Sequence, residues 1–96
     1  MGCEGFEWDD VKNWANQLKH GVSFERAVRA FHDPRRLIMK DALHGKHEKR
    51  FFCMGLVGRR VLTIRFTYRN SRIRILGAGY WRKGRSHYEE ENKIFG

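Results

Sequence analysis

The stretch from Val61 to Gly79 constrains the fold more than any other part of the chain, because it has the pattern of a β-hairpin. Two runs rich in β-branched and aromatic residues flank Asn70-Ser71, which predicts antiparallel strands joined by a two-residue turn. Side chains alternate across a strand, so this turn divides the hairpin into two faces. The core face contains Ile64, Phe66, Tyr68, Ile73 and Ile75. The opposite face, here called the arginine face, contains Arg65, Thr67, Arg69, Arg72 and Arg74. A regular hairpin also places Ile64 opposite Gly77. The arginine face is either an ordinary solvated surface or an anion-binding one.

A second hairpin is predicted directly upstream, with its turn at residues 58–59. A two-residue turn at this point places Arg50 opposite Thr67, and the first hairpin places Arg74 opposite Thr67 on its other side. The three side chains then form one row across three strands. A three-residue turn would put Phe51 in that row in place of Arg50; we favour the two-residue turn.

Two short amphipathic helices are predicted before the sheet. The first has Asp9 or Asp10 as its N-cap and an end at Gly21, and its apolar stripe at helical spacing is formed by Val11, Trp14, Ala15 and Leu18. The second begins at the N-cap Ser23 and repeats that spacing with Phe24, Ala27, Val28 and Phe31. Because such stripes usually pack on a core, we expect both to be buried against the apolar face of the sheet.

Shorter elements complete the predicted architecture. Residues 6–8 read as an edge strand, residues 37–39 as a further strand, and residues 41–49 as a polar loop. After Gly84 the composition favours a short C-terminal helix. Together these elements describe an α+β domain in which two N-terminal helices pack on a mainly antiparallel β-sheet and a short C-terminal helix follows.

Charge is concentrated in the sheet half of the chain. The 96 residues carry a formal net charge of +9, and residues 34–88 contain fifteen Lys or Arg against two Asp or Glu. This length fits a single small domain over residues 1–96, and the basic excess predicts an anionic partner. The two cysteines, Cys3 and Cys53, are expected to be free thiols in a reducing cytoplasm. No apolar run is long enough to span a membrane.

The order of short motifs resembles the BrnT family, the toxin half of a bacterial type II toxin–antitoxin system, which is related to the RelE-like ribonuclease toxins. The matching residues cover nearly the whole chain: Phe6-Glu7-Trp8-Asp9, Lys19-His20-Gly21-Val22-Ser23-Phe24-Glu25, Ala27, Phe31, Asp33-Pro34, Asp41, His44, Glu48, Arg50-Phe51, Gly55, Phe66-Thr67, Arg69, Ile73-Arg74-Ile75, Ala78, Arg85 and Tyr88-Glu89. The most specific part is Lys-His-Gly-Val-Ser-Phe, followed later by Thr-x-Arg and Ile-Arg-Ile.

The resemblance implies a RelE-like fold and metal-independent endoribonuclease activity on RNA, without a cofactor and in the cytoplasm. It further implies that a BrnA-like ribbon-helix-helix antitoxin neutralises the toxin. The complex would contact operator DNA only through this antitoxin, and no membrane partner is implied. The chain departs from the family pattern at two positions, because many members carry an arginine where this chain has Gly79 and a glutamate where it has Gly84. Arg82, Lys83 and Arg85 are nearby cations that can substitute electrostatically.

Cleaving RNA without a metal requires a base for the 2′-hydroxyl proton, cations for the phosphate and an acid for the leaving oxygen. The catalytic candidates are His44, Glu48, Arg50, Arg74 and Tyr88. Arginine binds phosphate bidentately and histidine titrates near neutral pH, so Arg50 and Arg74 are assigned to the phosphate and His44 to proton transfer. If it is not catalytic, His44 is simply an exposed loop residue. Glu48 is either a base, an orienter of His44 or an ion-pair partner of Arg69.

The RNA-binding candidates are the other members of the arginine face and residues that follow the last strand: Arg65, Thr67, Arg69, Arg72, Trp81, Arg82, Lys83 and Arg85. Trp81 either offers a face for a stacked base or belongs to the core. Tyr88 is either a proton donor or base, or a helix residue packed on the sheet. His44 and His47 lack an acidic cluster nearby, so no metal site is expected.

Two other functions remain open. The same charge is consistent with a non-catalytic nucleic-acid-binding module. The departure at Gly79 is consistent with a weakened toxin that acts mainly as the partner of a DNA-binding antitoxin.

Overall fold

The computed structural model describes residues 5–94, whose five strands form one sheet. In chain order the elements are β1 (Phe6–Glu7), α1 (Asp10–His20), α2 (Phe24–Ala27), a 3-10 helix (Val28–His32), β2 (Leu37–Lys40), β3 (Arg50–Val57), β4 (Arg60–Arg69), β5 (Arg72–Gly79) and α3 (Arg82–Glu91). The order across the sheet is β1-β5-β4-β3-β2, and the pairs are antiparallel except for β1 with β5. The predicted α+β class with a mainly antiparallel sheet is confirmed.

The capping residues fix the ends of the N-terminal helices as predicted. Asp9 accepts hydrogen bonds from the backbone N–H groups of Val11 at 2.8 Å and Lys12 at 3.1 Å. α1 ends at Gly21, whose φ of 70° is a left-handed conformation that favours glycine. Ser23 caps α2 through its hydroxyl. The first two helices therefore begin where their side chains satisfy the N-terminal N–H groups.

Both predicted hairpin turns set the register of the sheet. Asn70 and Ser71 take φ values of 53° and 61°, as expected for a type I′ turn, and the β4–β5 ladder pairs Thr67 with Arg74. The β3–β4 ladder pairs Arg50 with Thr67. The predicted row of three side chains across three strands is confirmed.

A β-bulge interrupts the ladder between β4 and β5, where a regular hairpin was expected. Leu76 is an extra residue on β5, between the pairs that Gly77 and Ile75 make with β4. Ile64 consequently lies opposite Ala78, and the predicted pairing of Ile64 with Gly77 is wrong.

The main core lies between the sheet and the second helical segment. Its buried strand residues are Cys53, Val57, Leu62, Ile64, Phe66, Ile75 and Ala78, and its buried helical residues are Phe24, Ala27, Val28, Ala30 and Phe31. The predicted burial of the second apolar stripe is therefore confirmed. Tyr68, which the alternation places on the same face, is exposed near the β4–β5 turn.

α3 packs on the opposite side of the sheet. Tyr88 is buried together with Met54 and Val61, and a Cβ at Gly84 would overlap the Thr63 hydroxyl. The helix backbone therefore lies directly on β4. The arginine face continues beyond the part of the sheet that α3 covers.

The apolar stripe of α1 faces outward. Val11 is exposed, Trp14 is 63% exposed and Leu18 is 69% exposed. The prediction that this stripe is buried is wrong, because two asparagines, Asn13 and Asn16, occupy the inward side of the helix. The chain thus carries an apolar strip on its surface.

Asn16 fastens the inward side of α1 to the sheet. Its Nδ2 donates to the carbonyl oxygens of Val22 and Ala78, both at 2.9 Å, and its Oδ1 accepts the N–H of Ala78 at 3.2 Å. These three hydrogen bonds satisfy backbone groups that would otherwise be buried without partners. The polar side of α1 is therefore its packed side.

The cysteine at the centre of β3 is buried. Cys53 is a free thiol, and burial raises its pKa to about 12; Cys3 lies outside the described residues. Within residues 5–94, no helix has the length and apolar character needed to cross a membrane.

Candidate active site

Asp41 holds the loop between β2 and β3 in place. Its backbone N–H donates to the carbonyl of Arg50 at 2.8 Å, and its carboxylate accepts from the N–H groups of Leu43 at 3.0 Å and His44 at 3.2 Å. Burial raises the pKa of the Asp41 carboxyl, but these hydrogen bonds outweigh burial, and the pKa is lowered overall. The carboxyl is therefore ionised at neutral pH.

This carboxylate orients His44. The Nδ1 of His44 lies 3.0 Å from the Asp41 Oδ2, and the His44 side chain is 65% exposed while that of Asp41 is 7% exposed. An ionised carboxylate can only accept, so Nδ1 carries the hydrogen and Nε2 of the neutral ring accepts. The interpretation of Glu48 as the orienter is wrong, because Asp41 has that position. The Asp-x-x-His spacing is the signal that could have found it.

His44 and Arg50 share a cleft at the start of β3, here called the His44 cleft. It has a volume of about 380 Å³ and is lined by the loop from Leu43 to Glu48 and by Arg50. Arg50 is half-buried, and its Nε has no hydrogen-bond partner among residues 5–94. That nitrogen is itself buried, so the donors available to an anion are the terminal N–H groups, which no carboxylate of residues 5–94 binds.

Three members of the arginine face are paired with glutamates. Arg69 lies 3.0 Å from Glu48, and Glu7 on β1 lies 2.7 Å from Arg74 and 3.6 Å from Arg72. The alternative interpretation of Glu48 as the partner of Arg69 is confirmed. Sequence reasoning missed Glu7, because the pairing of β1 with β5 joins distant parts of the chain. These pairs reduce the net charge at the β4–β5 turn.

The two other members of the arginine face differ from each other. Thr67 is 1% exposed and its hydroxyl donates to the carbonyl of Lys49 at 2.6 Å, so this hydroxyl is used within the fold. Arg65 is exposed, and its guanidinium lies against Gly77, where a Cβ would come within 2.6 Å of Nη2. Within residues 5–94 no carboxylate pairs with Arg65. No ion pair of the described residues therefore offsets the positive charge of Arg65.

Neighbouring groups occupy the space beside the two glycines that depart from the family pattern. A Cβ at Gly79 would lie 2.6 Å from the Trp81 indole, and a Cβ at Gly84 would overlap the hydroxyl of Thr63. Trp81 is half-buried and stands edge-on to the His20 ring, with centroids 5.3 Å apart. A larger side chain at either glycine requires Trp81 or α3 to move.

The start of α3 carries exposed cations. Arg82 and Lys83 are exposed, and no ion pair joins either of them to a carboxylate in the described part of the chain. Arg85 pairs with Glu89 one turn later at 3.3 Å. Of the three nearby cations that can substitute for the family's arginine, Arg82 and Lys83 are therefore not paired with a carboxylate of the described residues.

Tyr88 does not line the His44 cleft. It is buried, and its hydroxyl donates to the Oδ2 of Asp33 at 2.5 Å. Burial, together with this hydrogen bond, raises the pKa of Tyr88 to about 12, which opposes the role of a base. The alternative interpretation, a helix residue packed on the sheet, describes its place in the structure.

The site as a whole is a basic surface with one histidine held by a carboxylate. No three histidine, cysteine, aspartate or glutamate side chains of residues 5–94 are grouped so that they could hold a metal ion. An electropositive surface of this kind is typical of proteins that bind polyanions such as nucleic acids.

Comparison with known families identifies the class more narrowly. Residues 8–84 match the family described as ribonuclease toxin, BrnT, of type II toxin-antitoxin system. The match covers most of the chain, and the chain belongs to this family. Membership gives it the role of a toxin of the ribonuclease class, with RNA as substrate and an antitoxin as partner. No curated protein sequence matches the chain.

Proposed function

We propose that this toxin is an endoribonuclease that cleaves RNA without a metal ion in the His44 cleft. The observation that carries the proposal is the Asp41–His44 pair at 3.0 Å, whose histidine lines the same cleft as Arg50. Within residues 5–94 no carboxylate pairs with Arg50. The cleft thus combines an oriented proton acceptor with a cation for the phosphate.

The cleft supplies the proton acceptor and the cation for the phosphate, and water serves as the acid. Nε2 of His44 takes the proton of the 2′-hydroxyl, the 2′-oxygen bonds to phosphorus, and the bond from phosphorus to the 5′-oxygen breaks. Water protonates the leaving oxygen, so the products are a 2′,3′-cyclic phosphate and a 5′-hydroxyl. Arg50 stabilises the charge on the phosphorane, and Arg65, which lies outside the lining of the cleft, adds positive potential from β4. Arg74 contributes less, because it shares its charge with Glu7 at 2.7 Å.

Cleavage of mixed cellular RNA in EDTA by the purified chain, freed of antitoxin, tests the proposal. The wild type should cleave, and His44→Ala should cleave more slowly by about 10²- to 10⁴-fold. Arg50→Ala and Arg74→Ala should also cleave more slowly. His32→Ala is the matched control, because His32 is exposed on the 3-10 helix and lies outside the His44 cleft. Equal cleavage by the wild type and His44→Ala would indicate a contaminant or another site.

The fold family and the antitoxin partner are part of the same proposal. The sheet with its flanking helices is consistent with a RelE-like fold, and a BrnA-like ribbon-helix-helix antitoxin is proposed to shield the arginine face. Operator DNA is contacted only through that antitoxin. The unpaired charges of Arg50 and Arg65 support an acidic covering segment. Hydrogen exchange should show protection by the antitoxin in β4 and β5; protection confined to α1 and α2 would contradict the shielding.

A non-catalytic RNA-binding protein is the second candidate. It is favoured by Gly79, beside which the Trp81 indole occupies the space that an arginine would need. This candidate predicts an affinity for RNA whose logarithm falls linearly with the logarithm of salt concentration, without strand scission. Scission in EDTA that depends on His44 would exclude it as the full description.

A further inference from the structure

We propose that single-stranded RNA follows a groove from the His44 cleft across the N-terminal end of α3 to a second basic cleft, where Arg59, Arg60 and Arg82 hold its phosphates. The inference rests on the proposed function and extends it, since it assigns the path of the substrate beyond the cleaved bond. It also assigns a binding role to the β3–β4 turn, on the side of α3 away from the His44 cleft.

Three clefts on this side of the sheet share wall residues. The His44 cleft shares Leu43 and His44 with a cleft of about 380 Å³ that Lys83 also lines, here called the Lys83 cleft. The Lys83 cleft shares Trp81 with a cleft of about 500 Å³ that Arg60 lines, here called the Arg60 cleft. The three clefts therefore adjoin one another, and the proposed path runs through all three.

The Arg60 cleft is strongly basic. It is lined by Arg59, Arg60, Arg82 and Arg85, and Glu89, an acid in its wall, pairs with Arg85 at 3.3 Å. In the part of the chain that the structure describes, the three other arginines have no carboxylate partner. Their donors are therefore available to phosphate oxygens.

Stacking holds Arg60 in position. Its guanidinium carbon lies 3.8 Å from the centroid of the Tyr80 ring. A stacked guanidinium group is restrained while the N–H donors at its edge stay available for hydrogen bonds. Arg60 can therefore bind a phosphate at a smaller cost in side-chain entropy than a mobile arginine.

The end of the arginine face near the β4–β5 turn is a weaker binding surface. Arg69, Arg72 and Arg74 each lie beside a glutamate. A phosphate that approaches them must compete with carboxylates that already bind the guanidinium groups. By contrast, Arg50, Lys83 and Arg60, one in each cleft, have no carboxylate partner among residues 5–94, and they define the path.

The groove has the length of a short single strand. Arg60 and Thr67 are seven positions apart on β4, which corresponds to about 23 Å, and Thr67 pairs with Arg50 of the His44 cleft. Trp81 stands between the ends and offers an aromatic surface to a base. The first turn of α3 has no side-chain N-cap, so its N–H groups add positive potential where the strand crosses.

Equilibrium binding of a fluorescein-labelled single-stranded oligouridylate of about twenty nucleotides tests the path. The parent protein is His44→Ala, so that the RNA stays intact. Adding Arg60→Gln and Arg82→Gln should weaken binding and make the slope of log affinity against log salt shallower by about 1.4, because each lost phosphate contact removes about 0.7. Adding Lys12→Gln and Arg29→Gln is the matched control, since both residues are exposed and line none of the three clefts. This control should leave the slope unchanged.

Further outcomes decide the proposal. Arg60→Lys in the same parent keeps the charge and should keep the slope, and thermal unfolding of each variant verifies that it is folded. An unchanged slope in Arg60→Gln/Arg82→Gln, an equal loss in the control variant, or a parent that binds no oligouridylate would overturn the path. Cleavage by the wild type in EDTA is measured separately, so a failure of the reaction is distinguished from a failure of the groove.

Discussion

The chemistry assigned to His44 depends on the carboxylate of Asp41. Because the carboxylate accepts from Nδ1 at 3.0 Å, the neutral ring presents an unprotonated Nε2. Asp41→Asn keeps an oxygen for the loop N–H groups but introduces an amide donor that favours the opposite tautomer. We expect this variant to cleave RNA about 10²-fold more slowly or worse, close to the rate of His44→Ala.

The control for this prediction is Asp10→Asn, which changes an exposed acid in the first turn of α1. The initial rate of cleavage in EDTA and the midpoint of thermal unfolding are measured for each variant. Together they distinguish an effect of the His44 tautomer on the reaction from a loss of folded protein. A rate for Asp41→Asn equal to that of the wild type would show that the Asp41–His44 pair does not serve the reaction.

The residue types of the site could be predicted from the sequence, but their pairing could be predicted only in part. Histidine and arginine in a basic chain already identify proton transfer and phosphate binding as the relevant chemistry. Whether Asp41 or Glu48 orients His44 depends on the conformation of the loop. That conformation combines the local contacts of Asp41 with Leu43 and His44 and a hydrogen bond between the Asp41 N–H and the Arg50 carbonyl. Only the second joins positions that no local pattern connects.

At the scale of elements, α1 should depend on its asparagines more than on its apolar stripe. Asn16→Ala leaves backbone groups of Val22 and Ala78 without partners, and we expect it to lower the free energy of unfolding by about 2 kcal/mol or more. Leu18→Ala changes an exposed position and should cost less than about 0.5 kcal/mol. Urea unfolding of both variants measures the difference. A larger cost for Leu18→Ala than for Asn16→Ala would show that the stripe is the packed side.

Periodicity could identify α1 but not its orientation. The apolar residues and the asparagines both recur at helical spacing, so the pattern defines two faces without saying which one packs. The face of α1 that packs is determined by hydrogen bonds to backbone groups elsewhere in the chain. Asn13 accepts the N–H of Phe24 at 2.8 Å, and Asn16 donates to the carbonyl of Ala78 on β5. Capping residues and hairpin turns are local, and for that reason the starts of α1 and α2 and most of the strand register are predicted correctly. The predicted start of the C-terminal helix after Gly84 is wrong, because α3 has no side-chain N-cap and begins at Arg82.

At the contact between α3 and β4, packing and helix propensity predict opposite changes in the free energy of unfolding for Gly84→Ala. Gly84→Ala should be stabilising by about 1 kcal/mol if propensity alone decided. We expect it instead to destabilise by about 1–3 kcal/mol, because the added Cβ would overlap the Thr63 hydroxyl. Urea unfolding measures the change, and Ser86→Ala at an exposed position of the same helix is the control. Combining Gly84→Ala with Thr63→Ala should recover part of the loss.

At the scale of the whole molecule, consecutive hairpins account for most of the sheet order. β3, β4 and β5 are joined by two-residue turns and pair with their neighbours in sequence, which the turn residues predict. The parallel pairing of β1 with β5 brings Glu7 to Arg74 across more than sixty positions. The position of α3 is likewise set by the fit of Gly84 on Thr63. Both contacts are long-range, and the first of them decides that Arg72 and Arg74 are paired with a carboxylate.

The stability of the whole molecule should fall in alkaline solution. Burial and the hydrogen bond to Asp33 raise the pKa of Tyr88 from 10.0 to about 12, and burial raises the pKa of Cys53 from 9.0 to about 12. The folded state therefore holds these protons more tightly than the unfolded chain does. Their contribution to stability is complete below the unfolded pKa values and is lost as the pH rises toward about 12.

Tyr88→Phe should remove the tyrosine part of this dependence. The free energy of unfolding, measured with urea at a series of pH values, should fall less steeply between the unfolded and folded pKa values of Tyr88 than it does for the wild type. At neutral pH it should be lower by about 1.5–3 kcal/mol, because a hydrogen bond to an ionised acceptor is lost. Tyr68→Phe, at an exposed tyrosine on β4, is the matched control and should keep the wild-type steepness. Identical pH dependence in Tyr88→Phe and the wild type would contradict the bond between Tyr88 and Asp33, and with it the docking of α3 on the helical segment that Asp33 ends.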